Sequence, residues 1–159
     1  MKSIWRDDNS VRKNLRARLP AMAAAFFVAG RTAMKPKRTW GEMHKFRLAT
    51  KEFRYTLELF RPALGADLET RLETVRTIQQ FLGDINDAIS VRNLLADLDE
   101  AELLRKKLAK KAESERKALI QYWKGQFDAP GELEAWTAYL QADVALPKKT
   151  AQQKVRLRS

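Results

Sequence analysis

The chain has 159 residues and a mass of 18.3 kDa, enough for one domain with a buried core. It has no cysteine, so disulfides, thiolate metal sites and cysteine nucleophiles are excluded, and its one histidine, His44, cannot build a multi-histidine metal centre within one chain. The 31 Lys and Arg against 20 Asp and Glu leave a net charge of +11, which concentrates polyanions near the surface and points to anion binding before catalysis.

Val11, Leu15, Leu19, Met22 and Phe26 recur at spacings of three and four, which predicts an amphipathic first helix capped by Asn9 or Ser10. Pro20 should kink or divide it. The apolar run from Leu19 to Gly30 resembles a secretory signal, but it follows Asp7 and Asp8 and is shorter than the ~20 residues of a membrane span. It reads better as more of the same helical stripe. Thr39-Trp40-Gly41-Glu42 is a capping box opening a second helix from Trp40 to about Phe60. A third helix opens near Asp67, with Leu68, Leu72, Val75, Ile78, Leu82, Ile85, Ile89 and Leu95 facing inward, and Gly83 marks a close helix contact or a kink. A fourth is predicted from about Asp99 to Phe127. Asp128-Ala129-Pro130-Gly131 then makes a turn, and Glu132 to Gln141 a short closing helix. No long stretch alternates with period two. The predicted fold is all-α, a single antiparallel helical bundle of about four long helices plus a short C-terminal helix, spanning residues 1–146. The remaining 147–159 carry Lys148, Lys149, Lys154, Arg156 and Arg158 with no acid, and read as a disordered basic tail.

A second basic stretch is of a different kind. Between Arg31 and Tyr55, eight Lys or Arg face only Glu42 and Glu52. At about 100° per residue, Arg47, Lys51 and Arg54 fall roughly −60°, −20° and −80° from His44, within an arc of about 80°. Glu58 shares that arc. Phe46, Ala49, Phe53, Leu57 and Phe60 take the opposite side, while Leu48, Tyr55 and Leu59 form a second apolar edge. Like charges at this spacing repel, so the row costs stability unless an anion or acids on neighbouring helices compensate. Flanking apolar residues suggest that it lines a groove between helices, matched to an extended ligand with regularly spaced negative charges. The alternative is that Asp84, Asp87 or Glu58 neutralises the row inside the bundle.

His44, Arg47, Lys51, Arg54 and Tyr55, spaced H-x-x-R-x-x-x-K-x-x-R-Y, resemble the signature of the CHAD family (conserved histidine α-helical domain). Gln79-Gln80-Phe81-Leu82-Gly83-Asp84-Ile85-Asn86-Asp87 is similar to a second marker of that family, and the resemblance extends roughly from Ser10 to Phe127. It implies non-catalytic binding of inorganic polyphosphate in a basic groove of a helical bundle. His44, Arg47, Lys51 and Arg54 would be the phosphate contacts, Tyr55 either a contact or a packing residue, and Asp87, like Glu58, a structural partner of the basic row. Arg12, Arg16, Arg92, Arg116 and Lys124 are further candidate anion contacts on neighbouring helices. Full family domains hold two bundles around a shared pore, whereas this chain has one, resembling the C-terminal half. Either a single bundle suffices, or two chains associate as a homodimer and rebuild the pore by two-fold symmetry. The implied location is cytoplasmic, associated with polyphosphate granules or the nucleoid.

No nucleophile with an activating base is visible, and no cofactor or metal site is expected. Glu113-Ser114-Glu115-Arg116-Lys117 has the letters of a triphosphate-enzyme strand motif, but its surroundings are helical, which scatters the three side chains around the axis. The rival reading is a basic helical protein that binds nucleic acid non-specifically, aided by its tail, although no helix-turn-helix spacing or aromatic RNA-binding strand is seen. A helical interaction module for an acidic partner or an anionic membrane surface explains the tail but not the narrow His44–Arg54 row.

Overall fold

A computed structural model describes residues 8–142, with side chains from Lys13 onward; residues 1–7 and 143–159, the basic tail among them, lie outside it. The described chain is helical throughout. Helix α1 (Asp8–Ala33) packs antiparallel to α2 (Trp40–Leu59), followed by a single turn, α3 (Arg61–Leu64). Helix α4 (Leu68–Leu94) runs back along α2, and α5 (Glu102–Tyr122) runs back along α4. Helix α6 (Glu132–Gln141) closes the bundle against α1. Among the described residues, no helix is long and apolar enough to cross a membrane.

Pro20 does not divide α1, which runs unbroken through it with Pro20 itself buried. A mid-helix proline costs about 3 kcal/mol. Burial of Leu15, Leu19, Ala23, Phe26 and Phe27 on one stripe offsets that cost, since each large apolar side chain contributes about 1.5–3 kcal/mol. The start of α2 forms as its capping box requires: the Glu42 amide donates to Thr39 Oγ1 at 3.2 Å, and the Thr39 amide to Glu42 Oε2 at 2.7 Å. That backbone bond, with help from Arg38, holds the Glu42 carboxyl down at about 2.

The expected fourth helix is three pieces. A 3-10 turn at Asp99–Ala101 precedes α5, and a π-helical turn at Trp123–Phe127 follows it, closed by the Asp128 amide donating to the Trp123 carbonyl at 2.7 Å. The wider π turn directs both Trp123 and Phe127 into the core. There they join Phe26, Phe46, Phe53 and Trp136, with Phe26 stacked on Phe53 at 4.5 Å between centroids. Asp128 fastens this turn to α1. It accepts Arg31 Nε and Nη2 at 2.8 and 2.7 Å, and the Trp123 indole N–H at 3.2 Å.

The two helical glycines that matter behave oppositely. The Trp123 ring lies across Gly30, so closely that a Cβ there would come within 2.0 Å of ring carbon Cη2. Gly83 is no close contact, since a Cβ there would meet nothing within 4 Å, and α4 continues through it. Gly30→Ala is therefore expected to destabilise by about 2–3 kcal/mol or more through overpacking. Gly83→Ala should be neutral or stabilising by up to about 1 kcal/mol through helix propensity. Chemical denaturation of the two variants checks the pair, and equal effects would contradict the Trp123–Gly30 contact.

Candidate anion-binding groove

The seam between α2 and α4 holds the predicted basic row, but divides it between two cavities. The first is a groove of about 430 Å³ lined by Arg47 and Arg54 from α2 and by Arg76, Gln80, Asp84 and Asp87 from α4, with Gly83 leaving its wall open. The second, about 300 Å³, lies nearer the start of α2. His44 and Asn86 stand beside apolar walls of Trp40, Met43, Leu82, Ile85 and Ile89. Lys51 lines neither cavity; it is half-buried on α2 between Arg47 and Arg54.

Each member of the row is held differently. His44 Nδ1 lies 3.0 Å from Asn86 Oδ1, a contact in which the amide oxygen accepts from the ring and which orients the imidazole against α4. Arg54 donates to Glu58 Oε1 at 3.3 Å, and Arg76 reaches the same oxygen from α4 at 3.4 Å. Arg76 also lies 3.5 Å from both Glu69 and Glu73. Partial burial works against the charge on Arg76, but the bond to Glu58 and the nearby carboxylates outweigh it and raise its affinity for the proton. Arg47 and Lys51 have no ion-pair partner among the described residues. The Nε atoms of Arg47 and Arg54 are shielded from solvent and donate to no acceptor, an arrangement that typically costs about 1–3 kcal/mol per group.

Both earlier readings of the row therefore have a part in the geometry. Glu58 neutralises the Arg54 end, jointly with Arg76, a residue the sequence reading missed. Its signal was available: Arg76, Gln80, Gly83 and Asp87 follow one another at i, i+4, i+7 and i+11 on one face of α4. Asp84 and Asp87 line the groove without pairing to the row; Asp84 instead accepts from Gln80 at 3.1 and 3.3 Å. Tyr55 does not pack into the core. It is half exposed, with the Arg54 guanidinium 4.6 Å from its ring centre, a cation–π contact that fixes the arginine's direction. Leu48 and Leu59, expected to form an apolar edge of an interhelical groove with Tyr55, are exposed as well.

The outlying candidates do not converge on the seam. Arg116 is buried in α5, its Nη2 donating to the Lys35 carbonyl at 3.3 Å and its guanidinium 5.9 Å from the Trp40 ring, so it straps α5 to the α1–α2 loop. Arg16 sits at the far end of the bundle beside Ala63 and Leu140. Lys124 is exposed on the π turn. Arg92 is about 140° around α4 from Asp87 at the usual 100° per residue. The side chain of Arg12 lies outside the described residues. Glu113 and Glu115 are in α5, with Glu113 3.9 Å from Arg116, so the strand-type motif does not form. Among the described residues, no group of three or more His, Asp or Glu is placed to hold a metal ion.

An all-α bundle whose α2–α4 seam carries a histidine and a row of cations defines the class of this protein. The CHAD domain matches residues 4–96, more than half the chain, and the chain belongs to that family. The match covers the seam and ends just beyond α4, short of the Phe127 limit of the motif resemblance. No curated protein and no solved structure matches.

The shared carboxylate gives the first test of the seam. Glu58→Gln leaves Arg54 and Arg76 facing one another across it. The change should cost about 1 kcal/mol in an anion-poor buffer, between the value of an exposed pair and that of a buried one. Added tripolyphosphate should restore the thermal midpoint. Equal losses in both buffers would mean that these arginines have no use for an anion.

Proposed function

We propose that this chain binds inorganic polyphosphate, without turnover, along the α2–α4 seam, with His44, Arg47, Lys51 and Arg54 as its contacts and Arg76 added from α4. The observation that carries the reading is the state of Arg47 and Lys51. They are half-buried permanent cations with no carboxylate partner among the described residues, beside arginine Nε donors that no acceptor meets. Cations in such a position interact with an anion more strongly than solvated ones do. Guanidinium groups also present donors that match phosphate oxygens in pairs. Membership of the CHAD family agrees with this ligand class. The protein acts here as a binding module, in a cytoplasmic setting of granules or nucleoid where polyphosphate accumulates.

Replacing Arg47, Lys51 and Arg54 together with Ala should abolish retention of long-chain polyphosphate while leaving helical circular dichroism intact. Unchanged affinity defeats the site. The same titration separates the second reading, non-specific nucleic-acid binding favoured by the +11 charge. Polyphosphate should displace duplex DNA at physiological salt, and failure to do so would favour the nucleic-acid reading. A homodimer would set two such seams around one ligand, and a monomeric mass in sedimentation with polyphosphate bound rejects that arrangement.

A further inference from the structure

The end of the bundle where α4 turns into α5 has a character opposite to the rest of the chain. Among the described residues, five of the nine exposed large apolar side chains fall within it: Val91, Leu94, Leu98, Leu103 and Leu104, with Leu94 81%, Leu103 67% and Leu98 54% exposed. Asp97, Asp99 and Glu100 stand among them with no base between residues 97 and 102, while Glu102 is paired with Lys106 at 2.5 Å. The turn is held in shape from within. Arg105 Nη1 lies 2.7, 2.9 and 2.8 Å from the carbonyls of Leu95, Ala96 and Leu98, fixing the backbone while the leucines point outward. A rigid surface that shows apolar side chains inside an acidic rim loses little freedom on binding and favours a basic, partly apolar partner.

The chain contains such a segment. Lys154-Val155-Arg156-Leu157-Arg158 alternates cations with apolar residues, within a terminal stretch of five cations and no acid from 147 onward. We propose that the α4–α5 knuckle is a docking site for the basic C-terminal segment, residues 154–158, of a second copy of this chain. Cations would meet Asp97, Asp99 and Glu100, and Val155 and Leu157 the exposed leucines.

The choice of a second copy follows from distance. Helix α6 ends beside Leu64 and Leu15, at the end of the bundle where α4 begins. The knuckle is at the other end, about 40 Å away along the 27 residues of α4. The stretch between Ala142 and Lys154 reaches about 40 Å only when fully extended, so a neighbour's knuckle is the easier target. Such a contact joins two different surfaces, so it predicts salt-sensitive association, closed where two chains exchange segments and open-ended where they do not. This proposal is independent of polyphosphate binding and of any pairing along α2.

The native chain has no cysteine, which allows a contact-specific test in the full-length protein. A Leu98→Cys/Val155→Cys double variant, oxidised with glutathione disulfide at low salt, should become linked between chains by disulfides, into dimers or longer species. Its rate should exceed that of a Lys111→Cys/Val155→Cys control by about tenfold, the gain expected from a raised local concentration. High salt, or added Leu94→Ser and Leu103→Ser changes at these exposed positions, should bring it down to the control rate. A rate equal to the control from the start overturns the proposal. So does a rate indifferent to both salt and the serine changes. Disulfides confined within single chains overturn the assignment to a second copy.

Discussion

Glu58 is the pivot of the α2–α4 seam. Two arginines from different helices approach one of its oxygens, so a single carboxylate draws together cations that would otherwise repel across the groove. The arrangement gives α2 and α4 a polar joint beside their apolar contact. It also leaves the seam under-compensated, because Glu58 serves Arg54 and Arg76 while Arg47 and Lys51, on the same helix as Arg54, have no carboxylate counterpart among the described residues. Asp84 and Asp87 lower the potential inside the groove without satisfying any particular cation. The result is a surface with moderate net charge and several unpaired donors, which is a different object from a solvated basic patch.

The seam is positioned by the aromatic core behind it. Phe46 and Phe53 sit on the opposite face of α2 from the cations, and both pack against Phe26 of α1. Trp123 wedges between these helices because Gly30 lets its ring lie against the α1 backbone, and Asp128 ties that ring and Arg31 to one point. The rotation of α2 about its axis follows from which side its phenylalanines must bury. The cations are therefore fixed toward α4 by apolar packing, with their own electrostatics contributing only the local bonds to Glu58, Asn86 and Tyr55.

Much of this was legible before any coordinates. The capping box at Thr39–Glu42, the turn at Asp128–Gly131 and the inward rows of α1 and α4 appear where side-chain chemistry places them, because each depends on residues a few positions apart. Three features were not legible for the same reason. Pro20 was expected to kink or divide α1, and the helix is not divided, since local propensity carries no record of the burial on either side of it. The π turn at Trp123 depends on where an indole must fit against Gly30, 93 positions earlier. For the row itself, a helical wheel gives the angle of each cation but not what lies opposite. It grouped four residues on one arc, whereas α4 divides them: Asn86 takes His44 into one cavity, and Arg76 and Gly83 shape another around Arg47 and Arg54. Arg116 shows the converse, a charge that looked free in sequence but bonds a carbonyl in the α1–α2 loop.

Ligand length then becomes the deciding variable for the seam. From His44 to Arg54 the helix rises about 15 Å. A single compact anion at the groove would gain Arg47 and some of Arg54, and would sit within reach of Asp84 and Asp87, whose charge opposes it. An extended polyanion avoids that compromise. On the proposed reading it places one charge near His44, whose ring Asn86 orients, and others along Arg47, Lys51 and Arg54, keeping only part of its length beside the aspartates. On that reading affinity grows with each additional cation engaged, and the cost of ordering His44 and Arg54 is already partly met by the Asn86, Glu58 and Tyr55 contacts. On the proposed reading, the partial compensation inside the groove therefore weighs most against isolated anions and progressively less against longer ones.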